Sequence, residues 1–165
     1  MRLALYQPDI PQNTGTLIRL GACLGLPVDI IEPTGFPWSD RALKRAGLDY
    51  WEMADVTRHT DWDAFLTTTR ADTARRLILL TTKSEVPYTE FAFSAGDTIL
   101  LGRESAGAPP EVHAAANARL TIPMRPGLRS MNVALSAAMV LGEALRQTKG
   151  FAVGAPMPLT AGEEE

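Results

Sequence analysis

The chain has 165 residues, 45% of them hydrophobic and 21% charged, enough for one domain with its own core and too apolar for a disordered chain. Its net charge of -3 owes three negative charges to Glu163, Glu164 and Glu165, so the balance neither excludes nor demands a nucleic-acid partner. The single cysteine, Cys23, excludes an intrachain disulfide and a cysteine-rich metal site.

A lone cysteine fits a reducing cytosol, and Cys23 reads as a small buried hydrophobe on a helix. Gln7, Pro8 and Asp9 arrive too early for a signal peptide, and no apolar run approaches the roughly 20 residues of a membrane span. The expectation is a cytoplasmic protein.

Residues 2–6 predict a short strand, which Pro8 and Pro11 end. Asn13 or Thr14 can cap a helix with Leu17, Leu20 and Leu24 on one face, closed by Gly25 and Pro27. Residues 28–31 read as a buried strand, and residues 32–38 as a loop. Ser39 or Asp40 caps a basic helix carrying Arg41, Lys44 and Arg45, which Gly47 closes. Residues 50–53 read as a short strand and residues 61–70 as a helix. Strands are expected at residues 76–82 and 98–101, the second halted by Gly102. A helix with proline in its first turn covers residues 109–116. The last strand covers residues 119–122.

Strands that are near-continuous apolar runs, alternating with helices, specify an α/β fold: a mostly parallel sheet with helices on both faces. Residues 1–150 form the expected domain. Residues 151–165, rich in Gly, Pro and Ala and ending in acid, read as a disordered tail.

The last helix, up to Leu145, follows a loop punctuated by Pro123, Pro126 and Gly127. Ser130 is the expected N-cap. Ala134, Ala137, Ala138, Leu141 and Leu145 cover one side, and Val133, Leu135, Met139 and Val140 extend the apolar surface. Such a helix must be covered twice, and in a chain this small the second cover could be a partner subunit.

In parallel sheets, ligands bind at loops beyond the carboxyl ends of strands. Three loops stand out. In NTGTLIR, residues 13–19, Arg19 sits four residues after Gly15, so its guanidinium would lie over a bare turn, beside room for a phosphate or ribose; the alternative is a solvated surface arginine. In LLGRESAG, residues 100–107, Gly102 allows close backbone approach and puts Glu104 at the mouth of a site, unless that carboxylate makes only local contacts. The third loop is MRPGLRS, residues 124–130. His59 and His113 lack metal spacing and read as surface residues. Tyr50 and Trp51 could stack on a base or simply pack. No phosphate loop, dinucleotide fingerprint or serine-nucleophile elbow is present.

Taken together, NTGTLIR, LLGRESAG and IPMRPGLRSMN resemble the three signature motifs of the SPOUT superfamily of RNA methyltransferases, in the family's order. The stretch IIEPTGFPWSDRALKRAGLDYW, residues 30–51, resembles the single-domain branch that methylates the ribose 2′-hydroxyl of the wobble cytidine or uridine in tRNA anticodons. That resemblance implies a C-terminal deep trefoil knot, which general topology rules argue against. It implies S-adenosylmethionine as methyl donor and no metal. The cofactor cradle would comprise Leu80, Thr81, Gly102, Arg103, Glu104 and Gly107, with Ile122, Met124, Ser130 and Met131. Asn13, Glu104 and Asn132 would shape the reacting pocket. Arg19 would hold the adjacent phosphate and stabilise the developing alkoxide, since a guanidinium barely deprotonates. Arg41, Lys44, Arg45 and Arg129 would join Arg19 on the RNA. The partners would be a tRNA anticodon stem-loop and a second copy of the chain, packed through the first and last helices.

The chain departs from related wobble enzymes at Arg103, where proline is common, at Ser105–Ala106, where an arginine often follows, and at Val133, Ala134, Leu135 and Gly142. These bear on dimer contacts and substrate choice. The same chemistry at another RNA site, or a binding module without turnover, are the alternatives.

Overall fold

The structure, a computed structural model, describes residues 1–38 and 48–151. The expected basic helix with Arg41, Lys44 and Arg45, and residues 152–165 of the expected tail, lie outside the described residues.

Six strands form one sheet: β1 (Arg2–Tyr6), β2 (Val28–Ile31), β3 (Val56–His59), β4 (Leu77–Leu80), β5 (Thr98–Leu101) and β6 (Ala118–Leu120). Their order is β3-β2-β1-β5-β4-β6, and every pairing is parallel. Among the described residues the α-helices are α1 (Pro11–Leu24), α2 (Trp62–Arg70), α3 (Pro110–Ala115) and α4 (Val133–Thr148). Alternation along the strands splits the core into two layers. Leu3, Leu5, Ile30, Ile78, Ile99 and Leu101 face Leu17 and Ile18 of α1 and Ala137, Val140 and Leu141 of α4. Ala4, Tyr6, Ile31, Leu79 and Leu100 face Phe65 of α2 and Val112 of α3. Burial on both faces is why residues 77–80 and 99–101 are apolar throughout.

Several local expectations are corrected. Residues expected as a strand at 50–53 belong to a 3-10 helix, Leu48–Met53, and the strand follows it as β3. Helix α1 starts earlier than expected: Ile10 is its N-cap, with no side-chain bond, and Pro11 opens the first turn. Asn13 and Thr14 therefore lie inside the helix. Helix α4 is capped by Asn132, not Ser130: Asn132 Oδ1 accepts from Ala134 N at 2.9 Å and Leu135 N at 3.3 Å. Ala138 is exposed rather than on the core side. Cys23 is exposed, because the buried phase of α1 runs through Leu17, Ile18 and Gly21.

His59 is not a surface residue. It is buried at the end of β3, and its Nε2 lies 2.9 Å from Asp29 Oδ1. Arg2 donates two bonds to the same carboxylate, at 2.8 and 3.1 Å. A buried carboxylate held from both sides is a structural tie across β1, β2 and β3. Among the described residues, no helix is long and apolar enough to cross a membrane.

Candidate active site

The chain steps outward from β1 through β2 to β3, then returns to build β5, β4 and β6 on the other side of β1. Beyond the carboxyl ends of β1 and β5 the strand order reverses, the place where such sheets open a crevice. The loop after β1 and the loop after β5 meet there. Asp9 N donates to Glu104 Oε2 at 3.1 Å, and Glu104 N donates back to Asp9 Oδ1 at 3.2 Å. The Ser105 backbone N–H and hydroxyl both donate to Asp9 Oδ2. Asn13 Nδ2 donates to Glu104 Oε1 at 3.2 Å, and Asn132 Nδ2 donates to Asn13 Oδ1 at 3.1 Å. Thus α1, α4 and both loops share one network.

Two carboxylates this close do not both ionise freely. Burial pushes the Glu104 carboxyl above the usual glutamate range, and its side-chain hydrogen bond with Asp9 adds to the shift. The Asp9 carboxyl is held below the usual aspartate range, chiefly by the same bond, and then by the Ser105 donors. Of the two, Glu104 therefore holds its proton to higher pH than Asp9.

A cavity of about 470 Å³ opens beside this network, within the range of small-molecule sites. All ten residues expected to cradle a cofactor line it: Leu80 and Thr81 at the end of β4, the Gly102, Arg103, Glu104 and Gly107 loop, and Ile122, Met124, Ser130 and Met131 from the segment before α4. Asn13 and Asn132 line it too. Gly102 lines the cavity and meets a second constraint from its own loop. A Cβ there would lie 2.7 Å from Ala108 N and from Gly107 C, so the approach it permits is by its own loop's backbone. Arg103 and Gly107 exchange two backbone bonds across that loop, at 3.1 and 2.8 Å, with Gly107 at a φ of 69°. The Arg103 guanidinium donates to Gln7 Oε1, tying it to the end of β1.

Of the expected RNA-contacting groups among the described residues, Arg19 and Arg129 lie apart from the cavity lining. The Arg19 guanidinium sits 4.7 Å from the centre of the Tyr50 ring, a cation–π contact, while Gly15 is buried and not a bare turn. Arg129 is exposed on the loop before α4. The Trp51 side chain lies outside the described residues.

Sequence reasoning missed Asp9, Gln7, Ser136 and His113. Asp9 sits in a loop at a strand's carboxyl end, where a polar residue is a site candidate, and that position was the available signal. His113 was expected at the surface. It is half-buried and lines the cavity.

Residues 1–142 match the model of the SpoU rRNA methylase family. The tRNA (cytidine(34)-2'-O)-methyltransferase of Beijerinckia indica is 58% identical over 150 residues, covering 91% of this chain and 93% of that one. A solved structure from work on the 2-OH methylation of C/U34 on tRNA is 42% identical, with a TM-score of 0.84, covering 90% of this chain and 96% of that one. An AdoMet-bound rRNA methyltransferase from Sinorhizobium meliloti is 26% identical, with a TM-score of 0.79, covering 88% of this chain and 55% of that one.

Proposed function

This chain belongs to the SpoU rRNA methylase family, and from that premise we propose its reaction: transfer of a methyl group from S-adenosylmethionine to the ribose 2′-hydroxyl of the wobble nucleotide, cytidine or uridine, in a tRNA anticodon. The observation that carries this reading is one cavity shared by the ten cradle residues and by Asn13, Glu104 and Asn132. The likeness to tRNA (cytidine(34)-2'-O)-methyltransferase over nearly the whole chain supports the choice of target.

The residues present fit the cofactor. Leu80, Leu101 and Ile122 give apolar wall for a purine, Thr81 and Ser130 give hydroxyls, and the buried His113 Nε2 has no partner among the described residues. When bound, S-adenosylmethionine supplies a methyl group already activated on a sulfonium, so no metal is needed. The protein's task is to align a ribose hydroxyl with that methyl. Asn13 and Asn132 lock Glu104 against the cavity wall. Arg19, held over the Tyr50 ring, is the cation that grips the neighbouring phosphate and stabilises the developing alkoxide. Arg129, with Arg41, Lys44 and Arg45, extends the phosphate contacts.

The same reading takes the C-terminal segment as a trefoil knot. The loop between β4 and β5 bonds Thr121 through Val86 and Tyr88, and bonds Gln147 through Phe91 and Phe93. A chain running through that loop would make those contacts on both sides. It also takes the working unit as a cytoplasmic homodimer. In support, α4 leaves Leu135 61% and Met139 40% exposed opposite its core face. Two copies joined there would give the helix its second cover.

The test is methyl transfer from labelled S-adenosylmethionine to total tRNA from a strain lacking this gene, with nuclease mapping of the label. Label on the wobble ribose is expected. Label elsewhere moves the target to another RNA site. Cofactor binding with no label on any RNA leaves a binding module. An Arg19→Ala protein should keep cofactor affinity and lose transfer.

A further inference from the structure

Among the described residues, two buried side-chain polar atoms lack a hydrogen-bond partner: Thr98 Oγ1 and His113 Nε2. Thr98 opens β5, at the end of the strand away from the cavity. His113 stands in the cavity wall. A buried ring nitrogen without a partner carries a desolvation penalty that a bound group can relieve.

The place of His113 in the cavity says which group. The cavity runs along the carboxyl edge of the sheet. Asn13, Glu104 and Asn132 mark one pole, over β1 and β5. The other pole follows β4 and β6, with Leu80, Thr81 and Ile122. Helix α3 leads into β6, and Arg119 Nη1 donates to the His113 carbonyl at 3.2 Å, which fixes His113 at this second pole. Leu80, Ala108 and Ile122 make the wall there apolar, while Lys83 is exposed at the opening. A flat base with hydrogen-bonding edges suits such a wall. A zwitterionic amino-acid tail does not.

We propose that His113 is a cofactor-contacting specificity residue, its Nε2 hydrogen-bonding an edge atom of the nucleoside part of S-adenosylmethionine. The assignment rests on the methyl donor proposed above. Burial, and then the positive charges of Lys83 and Arg119, lower the His113 pKa, so the imidazole is neutral and repels no sulfonium.

The test is calorimetric titration of the full chain, wild type, His113→Gln and His113→Leu, with S-adenosylmethionine and with 5′-methylthioadenosine, which keeps the nucleoside and lacks the amino-acid tail. H113L should weaken both ligands by roughly five- to tenfold, one hydrogen bond's worth, and H113Q should recover most of it. Undiminished binding of both by H113L overturns the contact. Loss for S-adenosylmethionine alone assigns His113 to the tail and overturns the nucleoside contact. A wild-type chain that binds neither overturns the proposed reaction and this assignment together. Nitrogen NMR of wild-type His113 needs no variant: its Nε2 resonance should move on adding 5′-methylthioadenosine, and an unmoved resonance counts against the bond.

Discussion

The side chain of Asn132 donates to Asn13 Oδ1 at 3.1 Å and with its own oxygen caps α4. Each amide orientation then follows from the last. Backbone N–H groups can only donate, so Asn132 must turn its oxygen to the helix and its nitrogen to Asn13. Asn13 must present oxygen, which leaves its nitrogen for Glu104. A helix cap thus sets the donor pattern at the candidate reacting carboxylate. Asn132→Ala should lose about 1 kcal/mol of stability through the cap and most of its methyl transfer. Asn132→Asp keeps the cap but cannot donate to Asn13. It should melt close to wild type while transfer falls on the order of tenfold or more, since misplaced reacting groups are costly. Melting curves and initial rates on the same preparations check both. An N132D enzyme of wild-type rate would break the proposed link.

The Asp9–Glu104 pair gives a stability–pH prediction with a definite sign. The Glu104 pKa is raised in the fold, so its contribution is complete below the ordinary glutamate value and is lost as pH rises through the raised one. The Asp9 pKa is lowered, so its contribution is present above the ordinary aspartate value and is lost as pH falls through the lowered one. The pair's contribution is greatest between the ordinary aspartate and glutamate values and falls away on either side toward the two folded values. Glu104→Gln removes the upper titration. Asp9 N bonds Oε2 and Asn13 Nδ2 bonds Oε1, and the glutamine NH2 must take one of those two places, so E104Q should start about 1 kcal/mol less stable. It should then lack the wild-type decline on the alkaline side. Urea midpoints taken from about pH 4 to 8 test this, and parallel profiles would refute the raised Glu104 pKa.

What could be read in the sequence follows from what is local. β4 and β5 were legible because burial on both faces makes residues 77–80 and 99–101 apolar without interruption. β3 was not, because it is an edge strand whose Thr57 and Arg58 are exposed, so the apolar signal vanishes. His59 looked like a surface residue because its partner, Asp29, is 30 positions away. Ser130 and Asn132 are both good caps, and only the start of the helix at Val133 decides between them. The ten cradle residues, with Asn13 and Asn132, were reached through motif resemblance. Asp9 and His113, outside those motifs, came from the fold alone.

Gly102 is constrained by its own loop. A methyl group there would meet backbone atoms of Gly107 and Ala108 at 2.7 Å, and backbone cannot swing aside as a side-chain tip can. Gly102→Ala should lose roughly 1–3 kcal/mol and lower cofactor affinity, because the paired Arg103–Gly107 segment must open. Denaturant titration and calorimetry of S-adenosylmethionine binding report the two losses. Normal stability with normal affinity would mean that the loop yields freely.

Arg76 and Asp97 form a forked ion pair of unequal burial. Arg76 Nε and Nη2 each donate to the Asp97 carboxylate at 2.7 Å, and Ser94 N adds a bond at 2.8 Å. Asp97 is fully buried, whereas the Arg76 side chain is 38% exposed and lies over the Phe91 ring. Removing the arginine strands a buried carboxylate, but removing the carboxylate leaves a guanidinium that water can reach. Arg76→Met should therefore cost about 3–4 kcal/mol and Asp97→Asn about 1–2. The damage falls on the loop that Gln147 also holds, through Phe91 O and Phe93 N at 3.0 Å each, so hydrogen exchange should rise there first. Denaturant midpoints for the two variants decide the order. If D97N proves the worse of the two, water access to Arg76 is not what separates them.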